Sequence, residues 1–277
     1  MPQFTTSDGL SLFYTDEGTG TPLLCLAGLT RDHRDFDFVA PHLHSPAFPD
    51  LRLIRLDYRG RGASDWADPS TYTIPIEARD TLELLDHLGL ESAAILGTSR
   101  GGLIAMTLAA LAKPRLRGVA LNDVGPELDP AGLANIATVI GRNPSAKSYA
   151  ALLAAWPGIM QSFSNVPENR FAEEIARLYN ETPTGLEITY DPKLRDAVLA
   201  AGEDPMPDLW PLFDALEGLP LCTLRAEHSN ILPASTFAEM RHRRPDMIAA
   251  EIPDRGHVPY LDEPASLAAL AKWSALL

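Results

Sequence analysis

Apolar residues follow two rhythms along this chain. Six short runs, "LLCLAG" (23–28), "LRLIRLD" (51–57), "AAILG" (93–97), "RGVALND" (117–123), "LPLCTLRA" (219–226) and "MIAAEIP" (247–253), carry few polar interruptions. Runs of that length and purity suit strands buried on both faces of a parallel sheet. Between them the apolar positions spread into helical stripes. In "IPIEARDTLELLDHLGL" (74–90), Ile76, Leu82, Leu85 and Leu88 share a face and Gly89 supplies a stop; "GGLIAMTLAALAK" (101–113) is a second such segment. The alternation predicts an α/β fold on a mostly parallel, doubly wound sheet, with ligands gathering at the carboxyl ends of the strands. The opening "FTTSDGLSLFYTDEGTGTP" (4–22) differs: two extended pieces flank Asp8-Gly9, which predicts an antiparallel hairpin at the sheet edge.

One interval breaks the rhythm. From Glu127 to Gly218 no convincing strand occurs, and helical stretches such as "NRFAEEIARLYN" (169–180) and "PKLRDAVLAAGE" (192–203) are separated by Pro and Gly. A structureless loop of that length is not expected inside a compact domain. The interval therefore reads as a helical insertion lying as a cap over the strand ends, so that residues 1–126 and 219–277 form the core and 127–218 the cap.

Composition narrows the partners. The 277 residues carry a net charge of −14, which disfavours nucleic acid and anionic membrane surfaces. The segment "MPQFTTSDGL" has neither the basic start nor the apolar run of a secretory signal, and the longest apolar run, 103–112, is too short to span a bilayer. Cys25 and Cys222 both sit in strand-like apolar runs, as buried thiols do, in keeping with a reducing, cytoplasmic setting. Neither the two Cys nor the seven His form a metal-binding pattern, so no metal or cofactor is expected. The partner expected is a small molecule; the sequence is silent on oligomeric state.

"ILGTSRGGLIA" (95–105) places Gly97-Thr98-Ser99-Arg100-Gly101 between a strand and a helix. This is a G-x-S-x-G nucleophile elbow in the context that gives the pattern meaning. The reversal around Ser99 is so sharp that neighbouring side chains would collide, hence the two glycines, and the helix beginning near Arg100 favours negative charge beside the serine. His257 follows a strand next to Gly256, and a strand-end loop brings it toward Ser99. Here the chain resembles the α/β-hydrolase superfamily. "CLAGLTRDHRDF" (25–36) is similar to the family's oxyanion loop, "DYRGRGASD" (57–65) to its D-x-R-G-x-G-x-S turn, and "IPDRGHVPYLDEPAS" (252–266) to the loop that delivers the catalytic histidine. The resemblance implies that His257 is the general base and that the backbone N–H groups of Leu29 and Arg100 form the oxyanion hole. His33, near that loop, is a candidate pocket residue.

The third member of the triad is the difficulty. In relatives that this chain resembles, the loop after the penultimate strand ends in Ser-Asp-Ile-Leu and supplies the acid, whereas here it reads Ser229-Asn230-Ile231-Leu232. An Asn at the acid position can hold the histidine tautomer but supplies no charge. In the serine-protease case Asp→Asn lowers turnover about 10⁴-fold. Asp123, ending the strand after the nucleophile helix, is the alternative acid, as in certain dehalogenases and lactonases that share the fold. Asn230 is taken as the acid position, which makes the chain a weakened hydrolase or an acid-site variant of one.

Among the cap aromatics, Trp156 is a candidate for the wall of an apolar pocket over Ser99. "GLEITYDPKL" (185–194) and "PDLWPLFDAL" (207–216) resemble capped α/β-hydrolases, which implies that Tyr190 and Trp210 contact substrate. The leading expectation is a serine hydrolase that cleaves a small-molecule ester or lactone through an acyl-enzyme. Two readings stand beside it: a carbon–carbon bond hydrolase on the same residues, and a small-molecule receptor of low turnover. Dehalogenase and epoxide hydrolase chemistry is disfavoured because those relatives need Asp where Ser99 stands.

Overall fold

The computed structural model describes residues 2–202 and 205–277, so Glu203, the last residue of the helix expected over 192–203, lies outside the described residues. The strands are β1 (Gln3–Thr5), β2 (Ser11–Gly18), β3 (Thr21–Leu26), β4 (Leu51–Leu56), β5 (Ala93–Thr98), β6 (Leu116–Asn122), β7 (Tyr179–Thr182), β8 (Gly185–Ile188), β9 (Leu221–Ala226) and β10 (Ile248–Ile252). Eight of them form one sheet in the order β1-β2-β4-β3-β5-β6-β9-β10. The pairs β1–β2 and β2–β4 are antiparallel, and every other pairing is parallel. The N-terminal hairpin turns at Asp8-Gly9, where Gly9 takes φ 87° and donates its amide to the Thr6 carbonyl.

The apolar runs are continuous because successive residues feed two cores. Leu24 and Leu26 point to one face, with Ile54, Ile95, Ile104 and Leu121. Leu23 and Cys25 point to the other, with Leu53, Leu96, Leu224 and Trp273. All six residues of β5 and of β9 are buried. Cys25 and Cys222 are free and buried, and burial pushes both thiols up.

The helices are α1 (Ala40–Leu43), α2 (Ile74–His87), α3 (Arg100–Ala112), α4 (Pro130–Val139), α5 (Tyr149–Ile159), α6 (Arg170–Leu178), α7 (Leu194–Ala201), α8 (Trp210–Asp214), α9 (Ala234–Arg243) and α10 (Pro264–Ser274). Helix α2 starts as its sequence suggests: the Thr73 side chain accepts from the Ile76 amide, Pro75 occupies the first turn, and Gly89 with φ 65° follows the end. Helices α4 to α8 all lie between β6 and β9, as an insertion over the strand ends. Within it α8 packs on α3, and Phe213 and Leu216 join the main core.

The inserted interval is not strandless. Strands β7 and β8 pair as a short antiparallel hairpin closed at Thr182 and Gly185, the latter with φ 141°. Asn180, Glu181 and Glu187 face solvent, so no apolar alternation marks the hairpin in the sequence. Among the described residues no helix is long and apolar enough to cross a membrane.

Candidate active site

Ser99 sits between β5 and α3 with φ 50° and ψ −112°, a conformation that aims its side chain out of the strand-to-helix turn. The flanking glycines are sterically required. A Cβ on Gly101 would lie 2.0 Å from the Leu26 carbonyl oxygen, and one on Gly97 would lie 2.6 Å from the Gly101 backbone. The Ser99 amide donates to the Asn122 carbonyl at 2.9 Å, fixing the elbow to β6.

His257 reaches Ser99 from the loop after β10, its Nε2 2.9 Å from Ser99 Oγ. That loop is braced by Glu263, a residue to which the family motifs assign no role. The Glu263 carboxylate accepts from Arg255 Nε at 2.9 Å, from the Tyr260 amide at 2.8 Å and from Ser266 Oγ at 2.8 Å. The Pro259 carbonyl also accepts from Asn122 Nδ2 at 3.1 Å. A glutamate immediately before the helix-starting Pro264 was the available signal.

The other imidazole nitrogen faces a carboxylate. His257 Nδ1 lies 2.8 Å from Asp123 Oδ2. Asp123 is fully buried just past β6, with φ 55°. Its Oδ1 accepts from the Ala226 amide at 2.9 Å, and its Oδ2 also accepts from Ser229 Oγ at 2.8 Å. A carboxylate can only accept, so Nδ1 carries the imidazole proton and Nε2 is left to accept from the serine hydroxyl.

Asn230 is therefore displaced from the position expected for it. Its side chain is exposed to solvent, and Asp123 occupies the Nδ1 side of His257. The physical cause is the loop's own turn. Ser229 Oγ accepts from the Ile231 and Leu232 amides, at 3.2 and 3.0 Å, while donating to Asp123. This turn sets the Asn230 carbonyl against α4, where a Cβ on Gly132 would lie 1.8 Å from it. The loop that resembles an acid loop thus donates a hydrogen bond to a carboxylate delivered by the neighbouring strand.

Beside Ser99 runs the 28–31 loop; a Cβ on Gly28 would lie 4.0 Å from the Ser99 Cβ. Leu29 lines the cavity there. Arg100 opens α3, where the first amides of a helix have no carbonyl within it. The Arg100 side chain turns away from the cavity, donating to Glu77 Oε2 at 2.5 Å and to the Tyr72 carbonyl at 2.9 Å.

A cavity of about 670 Å³ lies over Ser99 and His257, within the range of small-molecule sites. Tyr190 and Trp156 line it, together with Phe163 and Tyr260. Trp210 and His33 do not. Trp210 donates from Nε1 to Glu127 at 2.9 Å and stacks under the Arg243 guanidinium at 3.9 Å, where α8 meets α9. His33 is spent on structure: its Nδ1 lies 2.8 Å from Asp57 Oδ1, and its ring packs on Phe13. One cavity wall is charged. Arg31 bridges Asp35 and the cap residue Glu174, and burial pushes the Asp35 carboxyl up to about 6.

The one cluster of potential metal-ligand atoms among the described residues is Asp32, His33 and Asp57. Asp57 there already accepts from the His33 and Ala63 amides, and Asp32 from Arg34.

The model of the alpha/beta hydrolase family matches residues 23–270. A 3-hydroxybutyrate-oligomer hydrolase from Cupriavidus necator is 37% identical over 258 residues, which is 89% of this chain and 85% of that protein. The crystal structure of an alpha/beta hydrolase from Novosphingobium aromaticivorans superposes with a TM-score of 0.90 at 35% identity, covering 100% of this chain and 98% of the other. A thermophilic esterase from Thermogutta terrifontis superposes with a TM-score of 0.73 at 26% identity, covering 98% and 97% of the two chains.

Proposed function

Since the chain belongs to the alpha/beta hydrolase family, we propose that it hydrolyses carboxylic esters of short hydroxy acids through an acyl-enzyme, with Ser99, His257 and Asp123 as the catalytic residues. The observation that carries this reading is the unbroken relay from Ser99 Oγ through His257 to Asp123, at 2.9 and 2.8 Å, on the floor of the cavity. The hydroxy-acid part of the reading is supported by the 37% identity to a protein named for 3-hydroxybutyrate oligomers.

Ser99 Oγ attacks the ester carbonyl carbon while His257 Nε2 takes its proton. The carbonyl π bond opens to an oxyanion, which accepts from the backbone N–H groups of Leu29 and Arg100. Asp123 keeps the proton on Nδ1 and offsets the charge of the imidazolium. Collapse of the intermediate expels the alkoxide, which takes the proton back from His257. Water deprotonated by His257 then attacks the acyl-serine; the acyl carbon–Oγ bond breaks, Ser99 Oγ regains the proton from His257, and the carboxylic acid leaves. Tyr190 and Trp156 provide apolar walls for the chain of the substrate, and Arg31 and Tyr260 place polar groups on the same cavity for its further oxygens.

The test is steady-state hydrolysis of p-nitrophenyl butyrate and of the linear dimer of 3-hydroxybutyrate. Wild-type protein should turn over both, with product exceeding protein. Ser99→Ala should lower kcat by about 10⁴-fold or more, leaving only binding and the oxyanion donors. Equal rates for the two proteins would remove the serine mechanism. Activity on the aryl ester without activity on the dimer would remove the hydroxy-acid assignment alone.

A further inference from the structure

We propose that Arg61, Glu77 and Arg100 form a buried brace that positions the two oxyanion donors relative to each other. The inference rests on the reading of Leu29 and Arg100 as those donors. Arg61 Nε donates to the Leu29 carbonyl at 2.9 Å, and Arg61 Nη1 donates to Glu77 Oε1 at 2.8 Å. The second oxygen of Glu77 accepts from Arg100 Nε at 2.5 Å. A guanidinium and a carboxylate thus connect the oxyanion loop to the first residue of α3, the two segments whose amides must converge on one oxygen.

The bridge is stiff by construction. Arg61 and Glu77 are fully buried. Arg61 Nη1 is also held by the Arg59 carbonyl at 2.7 Å, and its guanidinium lies 5.6 and 5.4 Å from the Tyr58 and Tyr72 ring centres. Arg100 Nη2 is anchored on the Tyr72 carbonyl at 2.9 Å. The same place is stitched to the cap: the Arg61 and Tyr190 backbones form an antiparallel β-bridge, the Asp191 amide donates to the Gly60 carbonyl at 2.8 Å, and Tyr72 Oη donates to Asp191 at 2.6 Å.

Packing alone does not account for this arrangement. Two cations share one buried anion, and Arg61 Nη2 has no partner among the described residues. An apolar trio of similar volume would avoid the desolvation of three charges and commonly be at least as stable. What an apolar trio cannot do is hold a backbone carbonyl at a fixed distance from a helix terminus. Donors aimed at an oxyanion must be held to fractions of an ångström, because their effect depends on being in place before charge develops. Arg61, Glu77 and Arg100 are positioning residues in this scheme; none of their side chains touches the reacting atoms.

Arg100→Met is the informative variant, because it keeps the backbone N–H and leaves the Arg61–Glu77 pair intact. With an ester substrate it should lower kcat about tenfold or more while KM moves less than about twofold, a smaller loss than removal of a whole oxyanion donor. Affinity for an alkyl trifluoromethyl ketone, which forms a tetrahedral oxyanion on the serine, should fall by the same factor as kcat/KM. Arg100→Lys, which retains the charge, should recover part of both losses. Glu77→Gln leaves both arginines charged, so positioning predicts a fall in kcat and a simple field effect a rise. Thermal melts identify any variant that fails to fold, in which case Arg100→Met alone decides. A folded Arg100→Met with unchanged kcat and unchanged inhibitor affinity overturns the brace. So does a loss confined to Tm or KM, or a rise in kcat for folded Glu77→Gln. Wild-type protein inert toward every ester would instead overturn the functional reading on which the brace rests.

Discussion

Two carboxylates near the cavity show how differently this molecule fixes its charges. Asp123, on the floor, accepts from a backbone amide, a serine hydroxyl and an imidazole, and each donor comes from a strand end or the turn just beyond it. Asp35, at the seam between core and cap, shares Arg31 with a second acid, Glu174. The floor obtains its geometry from backbone: Ser99 and Asp123 both have positive φ, which the strands around them over-determine. The seam obtains its geometry from long side chains. Arg170 pairs with Asp262 and lies 3.6 Å from the Phe38 ring centre, while Arg177 lies 3.7 Å from the same ring. Floor geometry suits a reaction that tolerates little displacement. Seam geometry suits a roof that fits substrates, since ion pairs between long side chains can be remade in more than one arrangement.

The contrast is broken most severely at the floor. Asp123→Asn should lower kcat by about 10⁴-fold, the effect of the same change in the serine-protease triad, with KM nearly unchanged. Asn230→Asp is the counterpart. Asn230 is exposed and not a partner of His257, so its replacement should leave kcat within about twofold. Initial rates on p-nitrophenyl butyrate for both variants check this. A large gain from Asn230→Asp, or a small loss from Asp123→Asn, would return the acid to position 230.

These two residues also mark where the sequence was legible. The sheet could be read because strands buried on both faces leave continuous apolar runs. The elbow could be read because Gly97 and Gly101 are sterically obligatory, and Ser99 followed from that context. His257 came from the resemblance of its own loop and its place after a strand. The acid could not. Asn122 and Leu224 are register partners on the parallel neighbours β6 and β9, so both strands deliver a loop to the same imidazole. What selects β6 is the φ of 55° at Asp123 and three converging donors, and neither leaves a pattern in the residues. Trp210 is a pocket candidate by resemblance and His33 by nearness to the oxyanion loop, but each has a closer partner elsewhere, Glu127 and Asp57. The link from Arg61 to Glu77 and on to Arg100 spans 16 and then 23 positions across a turn and two helices, so no spacing rule pairs those residues.

At the seam the expected losses are smaller and fall on binding and stability. Arg170→Met removes the Asp262 pair, which includes an Nη1–Oδ1 contact of 3.2 Å, and the contacts with Phe38 and Tyr260. Cation–π and ion-pair terms of this kind sum to about 2 kcal/mol, or about 4–8 °C in Tm for a chain of this size. Because α6 carries Glu174 on the cavity wall, KM should rise about threefold or more, with kcat within about twofold. A fall in kcat at unchanged KM would mean that the seam holds the floor as well as the roof.

The smallest effect, and the sharpest test of the charge balance at the seam, is a pH dependence. Burial is the largest cause of the raised Asp35 carboxyl, about 6; Glu174 and Asp32 push the same way, and Arg31 opposes them. In the unfolded chain the group titrates near 3.9. Between those values the folded chain holds a proton that the unfolded chain has released, so the contribution of Asp35 to stability falls as pH rises from about 4 through about 6. Asp35→Asn keeps an oxygen for Arg31 and removes the charge. The variant should melt with the wild type near pH 4, gain on it by a few degrees up to about pH 6.5, and hold that gain at higher pH. Other titrating groups cancel in the difference, provided Glu174 and Arg31 keep their places. If the gap instead closes or reverses as pH rises, Arg31 is stabilising an ionised Asp35, and the seam is charge-balanced by its guanidinium and not by a retained proton.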